Sequence, residues 1–63
     1  MEFFKLVQVF SAAHLQETIY NDKQVAFKAF KEAQANKMVR GARLYTCEFV
    51  NGKLEHKMCI DMK

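Results

Sequence analysis

Residues 43–62 read RLYTCEFVNGKLEHKMCIDM. Asn51-Gly52 sits between two β-rich runs, 43–50 and 53–62. Asn-Gly in that setting is the strongest short-range hairpin signal, because both residues tolerate the positive φ of a type I′ turn. A two-residue turn pairs Val50 with Lys53 and sets the register outward from there. Regular pairing then places Phe49 opposite Leu54, Cys47 opposite His56, Tyr45 opposite Met58 and Arg43 opposite Ile60. That face is nearly apolar and is the expected core face. Glu48, Glu55, Thr46, Lys57, Leu44, Cys59 and Asp61 fall on the other. Glu48 opposite Glu55 is a like-charge pair, which Lys57 on the diagonal would screen.

Upstream of the hairpin lies a helix. Asn21 is a good N-cap, Gln24 completes a capping-box pattern, and Tyr20 with Val25 fits a hydrophobic staple. Asp22 complements the helix dipole. Val25, Ala26, Ala29, Phe30 and Ala33 recur on one stripe, with Gln24, Lys28, Lys31 and Glu32 opposite. Alanine at the centre of the stripe lets the helix lie close to a sheet, so bulk must come from strand residues such as Phe4, Phe10, Tyr45 and Phe49. Phe27 lies at the edge of the stripe. Asn36 and Gly41 are the candidate αL caps at the far end.

The first third of the chain supplies the rest of the sheet. Residues 3–10, FFKLVQVF, are β-rich and apolar on both faces: Phe3, Val7 and Val9 point one way, Phe4, Leu6 and Phe10 the other. Such a strand is central or covered on its second side. Residues 11–14 read as a turn, and 15–20, LQETIY, as a short returning strand. The fold class is therefore α+β: a small antiparallel sheet with one helix packed on one face, in the order ββαββ, or βαββ if 15–20 stays out of the sheet. Residues 1–63 form a single domain.

Hydrophobic residues make up 51% of the 63, eight are aromatic, and there are two Gly and no Pro. This is a chain that folds, not a linker. A domain of this length buries only about 60% of its unfolded surface. So large an apolar fraction leaves a surplus, and exposed apolar surface marks an interface. The net charge of +3 is concentrated between residues 22 and 43, where Lys23, Lys28, Lys31, Lys37, Arg40 and Arg43 face only Asp22 and Glu32. No run approaches the roughly 18 apolar residues of a membrane span. Glu2, Lys5 and Gln8 break up the pattern of a signal peptide. The expected compartment is the cytoplasm, that of the host if the protein is phage-encoded.

The chemistry-bearing residues do not assemble into a catalytic set. Cys47, Cys59, His14 and His56 are the soft-metal donors, and a zinc site needs about four converging on one point. The regular hairpin register sends Cys47 and His56 to one face and Cys59 to the other, which argues against a metal site and a Cys47–Cys59 disulfide alike. Cys47 beside His56 is read as a buried thiol among Tyr45, Phe49 and Met58, not a nucleophile. Gly41 and Gly52 are isolated, so there is no phosphate loop. No catalytic, cofactor-binding or metal residue is assigned, and no cofactor is expected. The candidate partner-binding residues are Phe27, Lys28, Lys31, Met38, Arg40, Arg43 and Leu44, from the apolar surplus and the basic segment.

Three stretches carry a resemblance: the opening Met-Glu-Phe-Phe-Lys-Leu-Val, the Asn-Asp-led helix, and the closing Lys-Met-Cys-Ile-Asp-Met-Lys. Their layout resembles the Dmd-like antitoxins among the host-takeover proteins of T-even bacteriophages. It implies a stoichiometric inhibitor that blocks a bacterial RNase toxin by occlusion. The rhythm from Arg40-Gly-Ala-Arg-Leu through Asn51-Gly-Lys-Leu-Glu-His-Lys is similar to two strands of the dodecins, which self-assemble into flavin-storing shells. Dodecins stack flavin on a strand tryptophan, and this chain has no Trp. The expectation is a non-enzymatic binding protein whose partner is a bacterial host protein. The alternatives are a nucleic-acid-binding domain using the basic segment 23–43 and a dodecin-like homo-oligomeric carrier. No membrane partner is expected.

Overall fold

The computed structural model describes residues 2–63. The order is β1 (Phe3–Ser11), β2 (His14–Tyr20), α1 (Lys23–Ala35), β3 (Gly41–Val50) and β4 (Lys53–Met62). The strands form one antiparallel sheet in the order β2-β1-β3-β4. The expected α+β class is thus observed, in its ββαββ form, and the apolar 3–10 stretch is central. The domain is a slab, 36 × 26 × 15 Å, with α1 laid across β1 and β3 and touching β2 at its margin.

The helix starts one residue later than the capping-box pattern predicts. Asp22, not Asn21, is the N-cap: its Oδ1 accepts from the backbone N–H of Gln24 at 2.8 Å and of Val25 at 3.3 Å. A carboxylate serves both as acceptor and as counter-charge to the helix dipole, which favours Asp over its Asn neighbour. The shift moves Val25 off the staple position and leaves it exposed. Ala26, Phe30 and Ala33 are the buried stripe. At the other end Asn36 is the C-cap in an extended conformation, not αL, and Gly41 already belongs to β3.

The last turn of α1 contains no basic residue. Lys63 supplies the charge from the far end of the sequence. Its backbone N–H donates to Ala42 O at 2.7 Å, continuing the sheet beyond β4. Its ammonium donates to the carbonyls of Ala33, Asn36 and Val39 at 3.1, 2.9 and 2.6 Å. Ala33 O and Asn36 O also accept the backbone N–H of Asn36 and of Val39, so the ammonium adds a charged donor to carbonyls at the helix C-terminus and meets the negative end of the dipole.

The core comprises Phe4 and Leu6 from β1, the α1 stripe, Val39, and Ala42 and Leu44 from β3. Phe10, Tyr20, Phe27, Ala29 and Ile60 pack around it. This reverses the expected hairpin orientation. The helix covers the face of Ala42, Leu44 and Thr46, while Phe49 lies exposed on the other. Of the strand residues expected to supply bulk, Phe4 is in the core and Phe10 packs against it, whereas Tyr45 and Phe49 do not, and Phe30, Leu6 and Leu44 supply the rest. Thr46, the one buried polar side chain among the described residues, has a partner in Met58 O at 3.4 Å. Leu44, a candidate partner residue by sequence, is 0% exposed beneath the helix and is corrected to a core residue.

Asn51 and Gly52 have φ of 53° and 80°, the two positive values of a type I′ turn. The register holds from Val50↔Lys53 to Cys47↔His56 and then slips twice. Lys57 is an extra residue, so Thr46 faces Met58 and Tyr45 faces Cys59. Ile60 is a second, so Leu44 faces Asp61 and Arg43 faces Met62. Each β-bulge reassigns the faces of everything beyond it. Cys59 therefore shares a face with Cys47, contrary to regular pairing, and both thiols are free. The Glu48–Glu55 pairing is observed, with Lys57 Nζ 3.8 Å from Glu48 Oε2.

Candidate binding face

Side chains alternate across a sheet, so burial of Leu6 and Leu44 under α1 sends their neighbours to the opposite side. Four rows of cross-strand partners make up that side. Phe3, Cys47 and His56 form the first; Ile19, Lys5, Tyr45 and Cys59 the second. Glu17, Val7, Arg43 and Met62 form the third, and Leu15, Val9 and Gly41 the fourth. Among the described residues no element covers these rows. Leu15, Ile19, Met62 and the adjoining Phe49 are 46–59% exposed.

The upper part of the face is aromatic. Phe3 meets Phe49 edge to face at 5.3 Å between centroids, and Tyr45 stacks on His56 at 4.1 Å with 8° between planes. Cys47 is buried in the same row as Phe3 and His56, though it is not part of the core beneath α1. Burial pushes its thiol pKa up, and the nearby Lys5 charge and backbone only partly oppose this. A protonated, shielded thiol is a poor nucleophile and a poor ligand. Cys59 is exposed.

Charges on the face are few. Lys5 Nζ contacts Glu17 Oε1 at 2.6 Å. Arg43 Nη1 donates to Tyr45 Oη at 3.4 Å, a contact that raises the Arg43 pKa. At one end of the face Val7, Val9, Tyr45, Arg40, Arg43 and Lys63 line a hollow of about 350 Å³. A shallower depression of about 600 Å³ runs along α1 past Phe27, Lys28, Lys31 and Glu32, with Lys23 Nζ 5.9 Å over the Phe27 ring. Among the described residues no group of three or more His, Cys, Asp or Glu is placed to hold a metal ion. No helix is long and apolar enough to cross a membrane.

The candidate residues read from sequence thus separate into distinct places. Phe27, Lys28 and Lys31 meet on the flank of α1. Met38 is 74% exposed in the connection to β3. Arg40 and Arg43 border the hollow at the end of the sheet face. The basic segment 23–43 is consequently split between the helix layer and the opposite face of the sheet, and does not present one patch. Sequence reasoning missed Leu15, Ile19, Tyr45 and Phe49 as surface candidates. The signal was present in the alternation, but which set was covered depended on where the helix packed.

No family model, no curated protein and no solved structure matches this chain.

Proposed function

We propose that this chain is a non-enzymatic binding protein that docks another protein through the open face of its sheet. The observation that carries the reading is that face: a surface with few charges on which Leu15, Ile19, Phe49 and Met62 stand out to solvent while the single helix covers the other side. Apolar patches of this kind mark interaction surfaces. Half-buried Tyr45, the Arg43 beside it and Phe49, exposed on the same face, are of the residue types that anchor protein interfaces. The partner class implied by the resemblance is a bacterial host protein such as an RNase toxin, held stoichiometrically and blocked by occlusion in the host cytoplasm.

The test is co-purification from bacterial lysate with wild-type protein and with Ile19→Glu and Phe49→Glu variants. The expected outcome is a partner recovered in fixed stoichiometry by the wild type and lost with either variant. A partner still retained by both, but lost on neutralising Lys28 and Lys31, would move the interface to the helix flank and refute the reading.

A further inference from the structure

We infer that the open sheet face is covered, when no other partner occupies it, by the same face of a second copy of this chain. The inference rests on the reading of that face as a docking surface. It adds a specific occupant and a specific geometry.

The surface area points to a missing layer. A folded monomer of 7.4 kDa exposes about 4,200 Å² by the usual size scaling. This chain exposes 4665 Å². The excess of about 450 Å² nearly equals one face of the sheet, because four strands about 4.8 Å apart and about 8 residues long present about 500 Å². Two such faces in contact bury at least about 1,000 Å² in total, and more once side chains interdigitate. That reaches the area of about 1,000 Å² that a biological interface clears, and interdigitation carries it toward the range of about 1,200–2,000 Å² of stable ones. Two sheets packed face to face, about 10 Å apart and within roughly 30° of parallel, are a standard arrangement.

The distribution of charge favours a second copy over a polyanion. Lys23, Lys28 and Lys31 belong to α1, on the other side of the sheet. The rows of the open face hold Lys5, Glu17 and Arg43, with Lys5 already paired with Glu17; Arg40 borders the hollow at one end, and the Lys63 ammonium there is held by three carbonyls. Glu17 and Arg43 lie in one row on either side of Val7. The strand order β2-β1-β3-β4 has its midpoint between β1 and β3. A two-fold axis along the strands at that midpoint stacks β1 over β3 and β2 over β4 of the second copy. Arg43 of each copy then lies over Val7 of the other, beside Glu17, whose Oε1 holds Lys5. The interface is isologous: two apolar faces crossed by two equivalent Glu17–Arg43 pairs.

The experiment is sedimentation equilibrium of the whole chain from low micromolar to sub-millimolar concentration. The wild type should run at twice the chain mass at the upper end. Arg43→Glu sets two carboxylates against each other and should weaken association about tenfold or more; Glu17→Arg should do the same. The double variant E17R/R43E should restore association to near wild type, and Leu15→Glu should abolish it. Thermal unfolding of each variant at a concentration where it is monomeric shows that it folds. A wild type that stays monomeric throughout overturns the inference, as does a dimer indifferent to Leu15→Glu or to the charge swap. If the chain is monomeric but the lysate partner is still lost with Ile19→Glu, the dimer is refuted while the docking reading stands.

Discussion

Replacing Lys63 by methionine keeps the aliphatic stem and deletes only the ammonium that closes α1. Three carbonyl oxygens, on Ala33, Asn36 and Val39, lose a donor at 2.6–3.1 Å. A hydrogen bond to a charged group contributes about 1.5–3 kcal/mol when shielded. Here the residue is exposed, and water can replace part of what is lost. A cation at a helix C-terminus adds about 0.3–1 kcal/mol, with salt screening it. Together these give a net loss of about 1–2 kcal/mol, because one ammonium serves three acceptors but pays the ordering of a long side chain. In a domain this small each kcal/mol moves the melting temperature by roughly 4–8 °C. The measurement is urea and thermal unfolding followed by circular dichroism, for wild type and K63M at low and high salt. The expected difference narrows as salt rises. A loss of stability below about 0.3 kcal/mol at low salt would refute the claim that Lys63 closes the helix.

Three more outcomes follow from the same geometry. Asp22→Ala should cost about 0.5–2 kcal/mol, and Asn21→Ala clearly less, in chemical denaturation; equal losses would return the cap to Asn21. In native protein a thiol reagent should modify Cys59 at once and Cys47 only on unfolding, counted by absorbance. Because the folded Cys47 pKa is raised, the native state keeps its proton after the unfolded chain has released it. The stabilisation is complete below the unfolded thiol's value of about 8.5 and is lost as pH rises through the folded one. Stability should therefore fall in alkaline urea titrations of the wild type, and fall less steeply in Cys47→Ala.

What the sequence by itself determined is local. Asn51-Gly52 specified its turn because positive φ at two successive residues admits few alternatives. The apolar 3–10 stretch specified a central strand, and the alanine stripe a helix that lies close to a sheet. The first four hairpin pairs followed from the turn. What the tertiary structure alone decided is which side of the sheet that helix covers. Both faces of β3 carry apolar residues, Ala42 and Leu44 on one and Tyr45, Cys47 and Phe49 on the other. Periodicity states that they alternate but not which set is buried. The bulge at Lys57 compounded this, since its one-residue slip exchanges the faces of Met58 and Cys59 and moved Cys59 to the side of Cys47, before the second bulge at Ile60 restored the alternation. The closing contact of α1 was equally invisible, because Lys63 reaches Ala33, 30 residues away in sequence. The open face emerged from those non-local choices: once Phe30, Phe4, Leu6 and Leu44 filled the space under the helix, Leu15, Ile19, Phe49 and Met62 were left on the side no element covers.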